Sequence, residues 1–427
     1  MSRPALSSRG FARTAALAAV AALAAFAAAC SGTESKPPAP QLPPLVLQPC
    51  LPQLEAMVKA ALPPTPAQQH ELKDLAEIAL QLVSADARTT ARAERALLEH
   101  PFAWSALEPA LLDERLEVRQ RAAWLCGQSG QSVLQVALLL RLKYELDPIG
   151  VLWVADALQR LGNDAGLPYL DGAMGVAATA QQAGELAIAV CRDRGIELGE
   201  QPTYVELQGK LRELHVRWLA QGTSARAGVA APDPALLAAR YARHLATTQG
   251  TQLRPVDDAR FVLTRSGVLA LPILERTLQA EEPYLRTMAL QVLNELGRVA
   301  HPLGPAMLPL LSDPLTANYA IRALGAAGCT EAIPFLRQDL TANDVELRWE
   351  SVQALGLLGD TTSAAELRRL LGDTNEALDV RVGAAFGLLC LGQDAAAEAF
   401  LAEREAKGDY HAQTLARLRE RLQNRRG

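Results

Sequence analysis

The fold class this sequence predicts is all-α: an α-solenoid of stacked helical hairpins. Three observations carry it. Hydrophobic residues are 49% of the 427, whereas aromatic residues are only 4%. The apolar set is mostly Ala and Leu with few β-branched residues, which favours packed helices over sheets. Glycines also recur at a nearly constant interval behind a repeated apolar pattern, the mark of a repeat architecture. At 21% charged residues the chain is not globally disordered.

The N-terminus reads as an export signal. Arg3, Arg9 and Arg13 make a positive start, and residues 15–29 are an unbroken apolar run. Fifteen residues are too few to cross a bilayer, which takes about 20, and suit the core of a signal peptide. The run ends in Ala27-Ala28-Ala29-Cys30. This resembles the lipobox of bacterial lipoproteins, in which the Cys is acylated and becomes the new N-terminus. Ala27 departs from the Leu most often found there, and the same stretch meets the Ala-x-Ala rule of ordinary secretion. An uncleaved anchor is the third alternative. The resemblance implies an envelope location and a lipid on Cys30. Ser31, where an Asp tends to retain such proteins in the inner membrane, favours the outer one.

A tether is expected next. Ten of the 26 prolines lie between residues 31 and 66. Proline locks φ and cannot donate, so this stretch excludes a long helix or a central strand and reads as a semi-extended spacer. A short helix is allowed at residues 54–61. The expected organisation is signal peptide at 1–29, Pro-rich tether at 30–70, repeats at 71–200, inserted helices and a loop at 201–255, and repeats with a C-terminal capping helix at 256–427.

The repeat is written in the glycines. A Leu-Arg or Val-Arg pair is followed eleven residues later by Gly in Val118-Arg119 to Gly130, Leu285-Arg286 to Gly297, Leu347-Arg348 to Gly359 and Val380-Arg381 to Gly392. Gly162, Gly195, Gly267 and Gly328 keep the same beat without the Arg. Residues 346–371 show the unit. Leu347, Ser351, Ala354, Leu355 and Leu358 share one helix face. Gly359 suits the left-handed position just past a helix. Residues 360–363 offer oxygens to cap a second helix striped by Leu367, Leu370 and Leu371.

These segments, with Leu347-Arg348…Gly359-Asp360, Val380-Arg381…Gly392-Gln393-Asp394 and Val118-Arg119…Gly130, resemble HEAT repeats, in particular the short variety also found in phycobilisome lyases. The likeness runs over roughly residues 88–401. It implies an armadillo/HEAT-like superhelix whose second helices line a concave, partner-binding face. It also implies that the recurring arginines pair with acids of neighbouring units, against a basic ladder for acidic ligands.

One interval of 72 residues, from Gly195 to Gly267, breaks the beat. Residues 203–220 form an amphipathic helix with Tyr204, Leu207, Leu211, Leu214 and Trp218 at helical spacing. A loop over 221–234 and a helix over 235–247 follow, and the repeat resumes near Val256. The segment is either a swollen repeat or an inserted hairpin. From Ala396 the chain is helical and increasingly charged, as a solenoid cap requires.

Motifs for chemistry are missing. There is no CxxC, HExxH, P-loop or GxGxxG, so no metal or cofactor is expected. Cys126, Cys191, Cys329 and Cys390 read as small core residues, and Cys50 as the exposed thiol. Outside residues 1–29 the basic count falls from 42 to 39 against 47 acids, leaving a charge of −8. That balance argues against nonspecific nucleic-acid binding. The expected role is a membrane-tethered, non-catalytic scaffold for protein partners, without an evident small-molecule substrate. Partner contact falls on Trp218 and Arg217, with Lys210 and Arg212 beside them, and on Arg337, Arg368 and Arg369 of second helices. The alternative for Trp218 is inward packing. Two other roles stay open: an enzyme of the HEAT-like lyase kind, and an envelope polysaccharide-binding protein. The latter needs an aromatic-lined groove, hard to build from 19 aromatic residues.

Overall fold

In eight of the nine hairpins among the described residues the first helix ends at a glycine with positive φ, whereas the helix Ala87–Glu99 ends at His100. All eight glycines of the pattern have positive φ, and Gly222 and Gly408 share this property. Gly359 shows why: it stands at φ 77° and ψ 25°, and its N–H bonds back to the carbonyls of the helix it terminates. The chain then turns through a short 3-10 segment into the second helix.

The computed structural model describes residues 40–49, 52, 56, 66–222, 253–392, 394–408 and 412–426. The export segment, Cys30, Cys50, most of the allowed helix at 54–61, most of the loop at 221–234 and the helix expected at 235–247 lie outside them. Residues 42–427 form one unit. Among the described residues it is built from helices, as an all-α solenoid, with a single isolated β-bridge.

After α1 (Pro66–Ala79), the hairpins follow in order. They are α2–α3 (Ala87–Glu99, Trp104–Ala110), α4–α5 (Leu116–Ser129, Gln135–Tyr144), α6–α7 (Pro148–Arg160, Leu167–Met174) and α8–α9 (Ala180–Asp193, Tyr204–Gln221). Beyond the gap come α10–α11 (Leu253–Ser266, Leu271–Leu278), α12–α13 (Pro283–Leu296, Gly304–Met307) and α14–α15 (Ala317–Ala327, Ile333–Asp339). The series ends with α16–α17 (Val345–Leu358, Ala364–Gly372), α18–α19 (Leu378–Leu391, Ala395–Lys407) and a final α20 (Ala412–Arg426). First helices stack on one another, and second helices such as α5, α15 and α17 pack against the first helix of the next hairpin. The expected face of α16 is borne out at Ser351, Ala354 and Leu355, all buried, and the stripe of α17 at Leu367, Leu370 and Leu371.

Small residues set how closely the first helices approach. A Cβ on Gly356 of α16 would fall on the backbone of Gly387 in α18, and one on Gly387 would fall on the Val352 carbonyl. Backbone therefore meets backbone here, which only glycine permits.

Several boundaries differ from expectation. The array begins at Pro66, inside the expected tether. Within that tether, Gln48 bonds to the strand-like stretch after α11: its N–H donates to the Gln279 carbonyl at 2.6 Å and its carbonyl accepts from Glu281 N–H at 2.9 Å. Leu45 packs on the main core. A proline-rich chain can pair this way because Gln48 keeps its donor. Helix α9 is the second helix of its own hairpin, packed on α7 and α8, rather than an insertion, and Gly222 closes it within the 72-residue interval. Helix α10 already includes Val256, where the repeat was expected to resume. The charged C-terminus is two helices broken at Gly408, and α20 buries Leu415, Leu418 and Leu422.

The array is also not a simple line. Helix α10 packs on α5, three hairpins back, as well as on α12. The main core accordingly runs from Leu75 to Ala165 and again from Ala259 to Leu422. Residues from Leu152 to Leu214 bury a second, smaller core.

Two alanine substitutions separate these effects. Helix propensity favours Gly356→Ala by about 1 kcal/mol, but overpacking against Gly387 outweighs it, for a net loss of about 1–3 kcal/mol. Gly359→Ala has open space around it and loses only about 1–2 kcal/mol, from its left-handed backbone. Urea unfolding of both variants checks the order, and a stabilised Gly356→Ala would contradict the close approach.

Candidate functional site

The linker before a first helix has carbonyls outside any helix ladder, and arginine has five donors with which to reach them. Arg119 donates through Nη1 to the carbonyls of Asp113 (3.0 Å) and Glu114 (2.8 Å), and through Nε and Nη2 to the Glu145 carboxylate (2.9 and 3.1 Å). Arg286 does the same with the carbonyls of Ala280 and Glu281 and with Asp313 at 2.7 Å. Arg348 repeats it with Ala342, Asn343 and Glu376. In each case the acid belongs to the linker after that unit's second helix, so the arginine joins successive linkers. Arg381 departs from the pattern: it donates to the Leu371 carbonyl and lies over the Phe400 ring at 4.9 Å. Arg119, Arg286 and Arg348 thus pair with acids as the pairing alternative has it, and Arg381 does not follow it.

A second ladder follows the glycines, on the side of the second helices. The residue after Gly359, Asp360, was expected to cap α17; it accepts instead from Arg337 of α15 at 2.8 and 2.5 Å and from Ser363. Asn163, after Gly162, donates to Gln135 of α5 at 2.9 Å. Gln131, after Gly130, donates to the His100 carbonyl and accepts from Trp104 N–H. Asp394 accepts from Arg368 of α17 at 3.0 Å while capping α19.

The expected partner residues divide accordingly. Arg337 and Arg368 are held by these acids, yet their side chains stay 42% and 61% exposed. Arg369 pairs within its own helix with Glu366 at 2.7 Å and is also exposed. Arg217, half-exposed, lies 3.8 Å from Glu213. Trp218 is a correction: it is fully buried, and its Nε1–H donates to the Arg265 carbonyl at 2.9 Å. A tryptophan at the junction of two helix runs satisfies its one donor there and presents nothing to a partner.

The same junction holds groups that no motif announced. Lys143 donates to Asp258 of α10 at 2.7 Å, and the Tyr144 hydroxyl donates to the same oxygen. The Phe261 ring lies between Lys143 and the Arg265 guanidinium, 4.1 Å from the latter. Deeper in, Arg194 bonds Gln159 and Asp164 at 2.7 and 2.6 Å. Burial pushes the Asp164 carboxyl up against the pull of Arg194 and holds the His215 imidazole below its ordinary range.

On the first-helix side, a cleft of about 370 Å³ opens between α2, α4 and α6, lined by Trp124 and Trp153 together with Ser84, Thr90, Gln120 and Arg121. The two tryptophans stand 29 residues apart, near the repeat interval, and that spacing was the available signal for them. Among the described residues no group of three or more His, Cys, Asp or Glu could hold a metal. Cys126, Cys191 and Cys329 are buried as expected, while Cys390 is only partly so.

The family model for HEAT repeats matches residues 304–388. That stretch, from α13 into α18, contains one rung of each ladder, Arg348 with Glu376 and Arg337 with Asp360. HEAT repeats commonly act as scaffolds for protein interaction. No curated protein matches the chain.

The ladders make a pH prediction. Burial pushes the Asp313 carboxyl up, but hydrogen bonds from Arg286, Leu315 N–H and Thr316 outweigh it and hold the group below its usual range. Glu145 is likewise raised by burial and pulled lower by Arg119. Arg337 does the same to Asp360. A carboxyl depressed in the folded state stabilises fully above its unfolded pKa, about 4, and loses that contribution as pH falls through the folded value. Asp164 and Asp339, held up by burial, act in the opposite sense. The clean readout is therefore a difference. Arg286→Ala should lose about 3 kcal/mol at pH 7, and the gap from wild type should narrow as pH falls toward and below about 4, where Asp313 protonates first in the variant, which lacks the pull of Arg286, and then in the wild type. Urea unfolding across that range measures it, and a gap independent of pH would exclude Asp313 as the partner.

Proposed function

We propose that this chain is an envelope-anchored adaptor that holds protein partners on the face formed by its second helices. The N-terminal part supplies the address: a positive start, a fifteen-residue apolar run and a lipobox-like Cys30. Acyl chains on Cys30 bind a bilayer through buried CH₂ groups, worth roughly 0.8 kcal/mol each. Among the described residues no helix is long and apolar enough to cross a membrane. The proline-rich stretch then spaces the array from the bilayer.

The observation that carries the adaptor reading is the state of Arg337 and Arg368. Each guanidinium is fixed by an acid of the neighbouring unit and remains about half exposed. A side chain that is already ordered loses little entropy when a partner docks, so such groups raise affinity at low cost. With Gln338 and Arg369, exposed on the same helices, they form a row of donors in which the three arginines are held by ion pairs. The acidic balance of the remaining chain leaves partners to be chosen by this local pattern and not by net charge.

Two measurements test the reading. Cys30→Ala should move the protein from the membrane to the soluble fraction; unchanged fractionation would remove the lipid anchor. A photo-crosslinking amino acid at Gln338 or Arg369 should capture a discrete protein from envelope preparations. That product should fall at least tenfold in the Arg337→Glu, Arg368→Glu double variant. The same probe at Gln128, exposed on a first helix, should not capture it. Equal capture at all three positions would remove the second-helix face from the proposal.

A further inference from the structure

The geometry points to a second binding site on the opposite side of the array, in the cleft holding Trp124 and Trp153, with a short oligosaccharide as its ligand. The site is independent of the adaptor face.

The cleft is concave and about 370 Å³ in volume, within the roughly 300–1,000 Å³ of small-molecule sites. Its walls come from three consecutive elements, so it exists only because the units stack. Trp124 is on α4 and Trp153 on α6; both are half-buried and pack on the main core with part of each ring left to the cleft. Among the described aromatics Trp218 and Phe386 are fully buried, and Trp124 and Trp153 are the two that line this cleft. Two partly open tryptophans facing one cleft are therefore a local concentration of a scarce residue type.

The remaining lining decides the ligand class. Ser84, Thr90 and Gln120 offer neutral hydroxyl and amide groups, and Glu117 and Arg121 add one acceptor-only and one donor-only group. Arg121 is already oriented by Glu94 at 2.5 Å. An apolar ligand would strand these polar groups, at a cost of about 1–3 kcal/mol each. A phosphate ligand would face Glu117 and Glu94 across one arginine. A peptide helix or strand would not use the paired rings with so many small hydrogen-bonding groups around them. Sugars match both features: axial C–H groups form an apolar face that lies on the electron-rich face of an indole, and their rim of hydroxyls both donates and accepts. First helices in adjacent layers are roughly 8–10 Å apart, so the two rings address different sugar units of one chain.

Titration of the full chain with cellotetraose and with chitotetraose, followed by tryptophan fluorescence and calorimetry, tests the site. Saturable binding of at least one is expected. Trp124→Ala and Trp153→Ala should each weaken it more than tenfold. Because those variants remove packing, Glu117→Gln and Gln120→Ala, both on the rim, provide a second readout and should weaken binding several-fold with unchanged melting temperature. Trp349→Phe, on a distant first helix, should leave it unchanged. Absence of saturable binding for both tetrasaccharides at millimolar concentration would overturn the proposal. So would equal affinity in the tryptophan and rim variants, or competition by an unrelated basic peptide. The crosslinking result at Gln338 and Arg369 does not bear on either outcome.

Discussion

The interaction on which the rest of this structure depends is the reach of one arginine across two linkers. A helical hairpin of about 31 residues cannot bury its own apolar stripes and cannot satisfy the carbonyls of the turn before it. Arg119, Arg286 and Arg348 meet both needs at once: each binds two carbonyls of the preceding turn and an acid of the following one. Arg286 and Asp313 are 3% and 11% exposed, so the pair costs desolvation. Its return lies in register: an uncompensated charge at this depth is penalised by several kcal/mol, which disfavours stacking the units out of step. The apolar core supplies the cohesion, and the arginine holds the two linkers that flank its hairpin together.

Much of this was legible in the sequence, because local rules wrote it. Glycine eleven residues after an arginine marks the end of a first helix at Gly130, Gly297, Gly359 and Gly392, and each of these has positive φ, in the left-handed region at Gly130 and Gly359. The Ala/Leu stripes of α16 and α17 were read correctly for the same reason: 3.6-residue periodicity depends on nothing beyond the segment itself. The second ladder was not legible. Gln131, Asn163 and Asp360 share a place and a task but not a residue type, so no motif links them, and Asp360 looked like a helix cap. Trp218 misled in a related way. Its position continues the buried stripe of Leu207, Leu211 and Leu214, yet Arg217 beside it suggested an exposed cluster. What decided the matter was the Arg265 carbonyl, 47 residues onward.

The junction between the two halves of the repeat series was the least legible part. Lys143 and Asp258 are 115 residues apart, and repeat arrays ordinarily make contacts only between neighbours. Here α10 lies on α5, Trp218 bonds the end of α10, and Gln48 binds the turn after α11. Three separate stretches therefore meet around one pair of helices. This closure gives the chain a core shared between distant segments, which a purely linear stack lacks. It also means that cooperativity along the array need not follow the order of the repeats.

The contact between Gly356 and Gly387 has a mechanical consequence. Where two backbones touch with no side chain between them, nothing compressible separates the helices, and that edge of the stack acts as a stiff fulcrum. The other edge of the same units is spanned by long side chains such as Arg337 and Arg368, whose torsions and ion-pair lengths yield at far lower force. Any flexing of this part of the molecule pivots on the glycines and is taken up among the arginines. Load applied to the array is then felt first as a change in the spacing of the groups it offers to its surroundings.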